Sequence, residues 1–226
     1  MLPLTNEEQR VVFYATTDEP TIPSSVTPDT PLSELNLNWR ERDLPEKLRT
    51  RHVHRLHPYL GKYIPQLVEV FLRKYFSPGQ TVLDPFSGSG TTLVQANELG
   101  VNAIGYDISA FNTLLATAKT KHYDLKTVRQ EILDILDAAR PTTQASGFQL
   151  SLWSTNGNGN GHGPAANSDY LQRWFAPQAL QELLAYRDQI QNYRNQEILK
   201  IILSRSARSA RLTTHFDLDF PKAPQT

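Results

Sequence analysis

The sequence predicts an α/β protein with a Rossmann-like half, an incomplete sheet and an appended helical region. The first reason is the stretch VLDPFSGSGTTL at 82–93, where a short apolar run ends in a glycine-rich turn before a helical segment. The second is the run NAIGYD at 102–107, which predicts another apolar strand that ends in an acid. Strands that alternate with helices in this way are typical of a parallel sheet covered by helices.

Composition excludes several classes of function. The chain has 226 residues and balances 23 Lys and Arg against 23 Asp and Glu, so net charge gives no sign of a nucleic-acid partner. The absence of cysteine excludes disulfides, thiolate zinc sites and cysteine catalysis. The start MLPLTNEEQR lacks the apolar core of a signal peptide, and no run approaches membrane-spanning length. We therefore expect a soluble, cytoplasmic protein without a membrane partner.

Changes in composition along the chain predict four regions. They are an extended polar arm at 1–38, a cofactor-binding Rossmann-like half at 39–150, a flexible Asn/Gly linker at 151–168, and a helical region with a basic tail at 169–226. Within the second region, residues 40–62 form a basic stretch, and a helix is expected from Ile64 to Tyr75. The last region should be helical in two pieces around Pro177, and its tail carries Arg205, Arg208 and Arg211.

Two strands are predicted around the glycine-rich turn, from Thr81 to Asp84 and from Ala103 to Asp107. Apolar spacing predicts a helix after each strand, at about 91–99 and at 110–120 with Ser109 as N-cap, and a further amphipathic helix at 125–139. A parallel sheet that is buried on both faces needs more than two strands. The sheet is therefore expected to be incomplete.

The glycine-rich turn predicts a cofactor site. Gly88 and Gly90 allow a tight turn, and the free N–H groups of the following helix favour an anionic group. Asp107 lies 17 residues after Gly90, about the spacing expected of a carboxylate that binds a ribose. A dinucleotide site would need a third glycine where Leu93 stands, and a P-loop would need a lysine. S-adenosylmethionine and a structural turn without a ligand remain as alternatives.

The motif DPFSGSGTT resembles that of the amino-group DNA methyltransferases, which modify adenine N6 or cytosine N4. Similar segments flank it: HPYLGKYIPQLVEVFL upstream, and GVNAIGYDIS and LLATAKT downstream. The resemblance covers residues 50–122, with a looser similarity from Tyr170 to the end. It implies an S-adenosylmethionine-dependent methyltransferase fold, double-stranded DNA as partner, and a place in restriction–modification or solitary DNA methylation.

The resemblance also implies which residues bind S-adenosylmethionine. The methionine side of the cofactor would be lined by Asp84, Phe86, Gly88 and Gly90. Thr91 and Thr92 would cap the following helix and offer hydroxyls. Asp107 would accept hydrogen bonds from the ribose, and Ile108 would pack against the adenine. His57 and Lys62 would lie beside the cofactor or else stabilise the preceding turn.

The catalytic motif of this family is absent from the sequence. The family places Asp, Asn or Ser before Pro-Pro and an aromatic residue, and the chain contains no Pro-Pro pair. The catalytic residues are therefore unknown, and we expect a truncated, split or degenerate methyltransferase that is inactive alone and depends on a second polypeptide. The alternatives are a methyltransferase of RNA, protein or a small molecule, or a non-catalytic cofactor-binding subunit. The histidines at 52, 54 and 57 lack a nearby fourth ligand, so no metal is expected.

Overall fold

The computed structural model describes residues 19–50, 52–59, 61–140 and 168–212. Contacts divide the chain into two compact units, residues 1–121 and residues 122–226. The linker predicted at 151–168 lies outside the described residues except for Ser168, as do the first 18 residues of the predicted arm and the end of the tail from residue 213.

The helices and strands that the sequence predicts between residues 64 and 139 occur in the predicted order. The first unit contains α1 (Glu46–Arg49), α2 (Pro65–Tyr75), β1 (Thr81–Asp84), α3 (Thr91–Glu98), β2 (Asn102–Gly105) and α4 (Ala110–Thr120). The second unit contains α5 (Leu125–Ala139), α6 (Ser168–Trp174), α7 (Pro177–Gln189) and α8 (Gln196–Ser209). Short 3-10 turns lie at Pro23–Ser25, Leu32–Glu34, His52–Arg55 and Ile190–Asn192.

The two strands pair in parallel, with Val82 opposite Ala103 and Leu83 opposite Ile104. Val82 and Ala103 pack in a core with side chains of α2 and α3. On the other face of the sheet, Leu83 and Ile104 are 58% and 49% exposed. The mixed α/β architecture with a small parallel sheet is thereby confirmed, with Leu83 and Ile104 exposed on the second face of the sheet. The Rossmann-like class stays a prediction.

The second strand ends two residues before the predicted end at Asp107, because its partner β1 ends at Asp84, opposite Gly105. Beyond Asp84 the chain turns, and the residues that follow β2 form hydrogen bonds with the end of β1 and with the turn. Tyr106 N–H donates to the Asp84 carbonyl, and Ser87 N–H donates to the Tyr106 carbonyl, both over 2.9 Å. These two bonds fix the glycine-rich turn to the end of β2.

Helix α2 lies between the sheet and the N-terminal segment. Its Leu72 belongs to the core of the sheet. Its Val70, which is fully buried, packs against Val26 and Leu35 from the part of the chain predicted to be an extended arm. The described part of that arm therefore packs against α2, because its few apolar side chains are buried against an apolar face of this helix.

The second unit is a helical cluster around Ile135, Tyr186 and Leu199. Ile135 lies on α5, so this helix belongs to the second unit, whereas the sequence placed it in the half at 39–150. Its apolar face packs with side chains of α7 and α8. Between residues 168 and 212, the described part of this region, there are three α-helices where two pieces were predicted, and Pro177 is the first residue of α7.

Candidate cofactor site

Residues 85–90 form a tight turn between β1 and α3. Gly88 and Gly90 have φ angles of 50° and 79°, in the left-handed region that favours glycine. Gly90 also lies directly against α4, because a Cβ at this position would come within 2.8 Å of the Ala116 Cβ. Conformation and close packing therefore both require glycine at position 90.

Asp107 connects this turn to the end of β2. Its Oδ2 accepts a hydrogen bond from Gly88 N–H over 2.9 Å. Its Oδ1 accepts bonds from Ser109 N–H over 2.8 Å and from Asn112 Nδ2 over 3.0 Å. The bond from Ser109, followed by those from Asn112 and Gly88, lowers the pKa of Asp107, so the carboxylate is ionised at neutral pH. Since each carboxylate oxygen can accept about two bonds and Gly88 is the one described donor to Oδ2, this oxygen can accept a further bond from a ligand hydroxyl.

Asp84 is the last residue of β1, and Phe86 and Ile108 follow the carboxyl ends of β1 and β2. Asp84 Oδ1 accepts a hydrogen bond from Phe86 N–H over 3.1 Å. The side chain of Phe86 is 88% exposed, and that of Ile108 is fully exposed. Because the carboxyl ends of parallel strands meet at one edge of a sheet, where α/β proteins bind ligands, these apolar side chains are available to pack against a bound molecule.

Thr91 and Thr92 do not cap α3, contrary to the prediction. Gly90 is the N-cap residue, and no described side chain caps the helix. An N-cap residue precedes the helix and reaches back to its free N–H groups, whereas Thr91 is already the first helical residue. The first N–H groups of α3 thus remain available to a ligand. The Thr91 hydroxyl is buried without a hydrogen-bond partner among the described residues.

His57 and Lys62 both have protein partners. The buried His57 ring packs edge-on against Phe111 with centroids 5.1 Å apart, and its Nδ1 lies 2.9 Å from the Pro58 carbonyl oxygen. Lys62 Nζ donates to the His54 carbonyl over 2.8 Å, and burial lowers the pKa of this lysine. These contacts favour a structural role for both side chains, and a contact with the cofactor stays a prediction.

Sequence reasoning missed two residues that contact the turn through Asp107 and Gly88. Asn112 Nδ2, which donates to Asp107, also donates to the Tyr59 hydroxyl over 3.2 Å. That hydroxyl lies 3.5 Å from the place a Cβ would take on Gly88. Tyr59 therefore contacts the turn from the segment that precedes α2, whereas Asn112 holds it from α4 through Asp107.

A third missed residue is Lys119 on α4. Its Nζ donates to the Ser89 carbonyl over 2.7 Å, and both side chains are buried. The sequence held a signal for it: Asn112, Ala116 and Lys119 recur at helical spacing directly after Asp107, so they share one face of the helix.

His54 holds the 3-10 turn at His52–Arg55 against α3. Its Nε2 lies 3.0 Å from Gln95 Oε1, in hydrogen-bonding range, and the ring is buried. Burial lowers the pKa of His54 to about 4, opposed by the bond to Gln95, with smaller effects from the nearby positive charges. The imidazole is therefore neutral at pH 7.

Several arginines of the two basic segments make contacts within the chain. Arg40 Nε bonds Asp43 over 2.9 Å, and Arg211 lies over the Trp174 ring at 5.8 Å from its centroid. A role of these arginines in phosphate binding stays a prediction.

The described parts of the chain lack both a metal cluster and a membrane-spanning helix. Within residues 19–50, 52–59, 61–140 and 168–212, no group of three or more His, Asp or Glu side chains is arranged to hold a metal ion. None of the helices in these segments is both long and apolar enough to cross a membrane.

Comparisons with known proteins agree with the sequence motifs. Residues 32–117 match a family model described as DNA methylase. The chain is 36% identical over 234 residues to the type II methyltransferase M.MjaII of Methanocaldococcus jannaschii, covering 80% of this chain and 44% of that protein. It is 33% identical over 93 residues to the type II methyltransferase M.MvaI of Kocuria varians, covering 40% of this chain and 20% of that protein.

A shorter match is to the type II methyltransferase M.BsoBI of Geobacillus stearothermophilus, 39% identical over 61 residues, or 26% of this chain and 12% of that protein. The chain thus spans less than half the length of each of these relatives. Because 80% of the chain exceeds either compact unit alone, the similarity to M.MjaII reaches both units. No solved structure matches the chain significantly.

Proposed function

Because this chain belongs to the amino-group DNA methyltransferase family, whose members use S-adenosylmethionine as methyl donor, we propose that it binds this cofactor at the glycine turn. In this proposal the chain is the cofactor-holding part of a site-specific DNA methyltransferase that acts in the cytoplasm. The transferred methyl would go to the exocyclic amine of a base, cytosine N4 or adenine N6. The observation that supports the site is the Asp107 carboxylate, which is fixed to the turn through Gly88 and can accept a further bond at Oδ2.

Residues around the turn fit the parts of this cofactor. We assign the ribose hydroxyls to Asp107 and the adenine ring to the exposed side chain of Ile108. We assign the methionine side to Asp84, to Phe86 and to the free N–H groups at the start of α3. When bound, S-adenosylmethionine supplies an electrophilic methyl group on a sulfonium ion.

Transfer to a base amine needs groups that these 226 residues do not provide. The lone pair of an exocyclic amine is delocalised into the base, so acceptors must bind its hydrogens and hold it in line with the methyl group. Positioning of this kind is worth about 7–11 kcal/mol. Since the sequence contains no Pro-Pro pair, we place the acceptors and the stacking aromatic residue for a flipped base on another polypeptide segment.

Calorimetry with S-adenosylhomocysteine tests the cofactor assignment. We expect binding by the full chain, and we expect Asp107→Ala to weaken it about tenfold to a hundredfold, the effect of losing a hydrogen bond to a charged acceptor. Asp29→Ala removes an exposed carboxylate elsewhere in the same unit and should leave the affinity unchanged. Equal affinity of Asp107→Ala and the wild type would show that the ribose assignment is wrong.

Methyl transfer tests the rest of the proposal. We expect no turnover when the chain is incubated with radiolabelled S-adenosylmethionine and mixed-sequence double-stranded DNA. Turnover should appear when a polypeptide that carries an Asp, Asn or Ser before Pro-Pro and an aromatic residue is added. Methylation of DNA by the chain alone would contradict the proposal. Labelling of RNA, protein or a small molecule in place of DNA would identify another class of methyltransferase.

A further inference from the structure

Lys119 is a buried lysine whose hydrogen bond reaches the backbone of the glycine turn. Its Nζ lies 2.7 Å from the carbonyl oxygen of Ser89, a residue that is itself only 1% exposed. A buried carbonyl without a partner is unfavourable, and water has little access to supply one here. The lysine therefore provides the partner that this carbonyl needs.

The same face of α4 fixes two other points of the turn. Asn112, Ala116 and Lys119 stand seven residues apart in all, at positions i, i+4 and i+7 of the helix. Asn112 holds Asp107, which accepts the Gly88 N–H, and Ala116 packs directly against Gly90. Lys119 completes this row at Ser89. The row thus contacts three successive residues of the turn, directly or through Asp107.

Apart from the bond to Ser89, the charged groups around Lys119 do little to stabilise its buried ammonium. Lys62, from the segment before α2, is the charged group that acts on the pKa of Lys119. The charge of Lys119 in turn lowers the pKa of His54, from the 3-10 turn. Burial, followed by the charge of Lys62, lowers the pKa of Lys119 to about 8. No carboxylate of the described residues contributes to this pKa. A buried ammonium needs hydrogen bonds to be tolerated, and among the described residues Ser89 provides the one observed.

We propose that Lys119 is a positioning residue, which sets the shape of the glycine turn for the cofactor by holding the Ser89 carbonyl from the side of α4. It acts through the backbone of residues 88–90 and makes no contact with the cofactor itself. The inference rests on the proposed function as far as cofactor binding is concerned. Its structural part, the bond to the turn, can be tested without any ligand.

Nuclear magnetic resonance of the full chain tests the bond. The amide nitrogen of Gly90 is attached to the Ser89 carbonyl carbon, so its chemical shift reports the hydrogen bond that this carbonyl accepts. We expect the Gly90 resonance to titrate with a midpoint near pH 8, where Lys119 loses its proton, whereas His54 is already neutral. Lys62→Met should keep this inflection and move it to higher pH, since a like charge is removed. A flat Gly90 resonance in the wild type would overturn the inference.

Lys119→Met tests the consequence, since it keeps most of the packing volume and removes the donor. We expect the Gly90 inflection to disappear and the affinity for S-adenosylhomocysteine to fall about tenfold or more. Amide exchange at 65–75 on α2 should stay unchanged if the unit remains folded; if this variant unfolds, the wild-type and Lys62→Met titrations decide.

Lys47→Met removes an exposed lysine of the same unit and should behave like the wild type in both assays. If Lys119→Met binds as tightly as the wild type, the positioning role is refuted. If the wild type itself binds no S-adenosylhomocysteine, the proposed function fails, and the Gly90 titration still decides whether Lys119 holds the turn.

Discussion

Replacing Gly90 with alanine should destabilise the first unit by about 2–5 kcal/mol. A left-handed backbone costs an L-residue about 1–2 kcal/mol, and Gly90 has φ of 79°. The new Cβ would also lie 2.8 Å from the Ala116 Cβ and 2.9 Å from its Cα, and overpacking of this kind costs about 1–3 kcal/mol more. Helix α4 cannot give way cheaply, because Lys119 and Asn112 bind the same turn and its neighbour Asp107. Amide exchange of residues 65–75 on α2, followed against urea, measures the loss in this unit.

Gly79→Ala is the matched control for this experiment. Gly79 has φ of 87°, but nothing lies within 4 Å of the place its Cβ would take. It therefore carries the backbone cost alone, about 1–2 kcal/mol, and should leave affinity for S-adenosylhomocysteine unchanged. The difference between the two variants isolates the contact with α4. Equal losses of stability would show that the close approach of α4 to the turn is not a constraint on the sequence.

Two further predictions concern other parts of the chain. The pKa of His54 is about 4 when folded and 6.5 when unfolded, so the unfolded state binds the proton first. The first unit should therefore lose stability as pH falls from 6.5 towards 4, and His54→Gln should remove most of this loss in urea titrations at pH 7 and 5. In the second unit, Glu131 accepts bonds from Arg194 N–H over 3.0 Å and from Asn195 N–H over 3.1 Å. Glu131→Gln should lower the free energy of unfolding by about 1–3 kcal/mol, because it places an NH₂ group against one of these donors. Asp137→Asn, on the exposed face of α5, should change it little. Similar denaturation midpoints for the two variants would contradict this expectation.

Elements that local sequence signals control were predicted closely. Helix α4 begins after Ser109, whose hydroxyl accepts the Asn112 N–H as the predicted N-cap, and α5 has the predicted bounds. Both helices depend on short-range patterns, namely a capping side chain and apolar residues at helical spacing. The motif around Gly88 and Gly90 likewise identified the turn, because glycines placed between a strand and a helix allow the left-handed backbone that a tight turn needs.

Features that depend on distant packing were not predictable in the same way. Nothing local to α5 shows that it packs with α7 and α8, since its apolar stripe would also fit a sheet. The same holds for the N-terminal segment, whose Val26 and Leu35 are sparse in a polar sequence and are buried only because α2 offers them a face. The capping role predicted for Thr91 failed for a different reason: Gly90 ends the turn in a left-handed conformation and takes the cap position itself.

The contacts of the turn determine how binding energy would be used at this site. Gly88, Ser89 and Gly90 are each held by the protein, through Asp107, Lys119 and Ala116. Fixing the backbone of a residue costs about 1–2 kcal/mol of conformational entropy. Because these three residues are already ordered in the folded protein, cofactor binding does not have to order them. A cofactor that meets a fixed turn keeps more of its interaction energy as affinity. Substitutions on the α4 side should therefore weaken binding by loosening the turn. In the proposed site, replacing the exposed side chains of Phe86 and Ile108 should instead weaken binding by removing direct contacts with the cofactor.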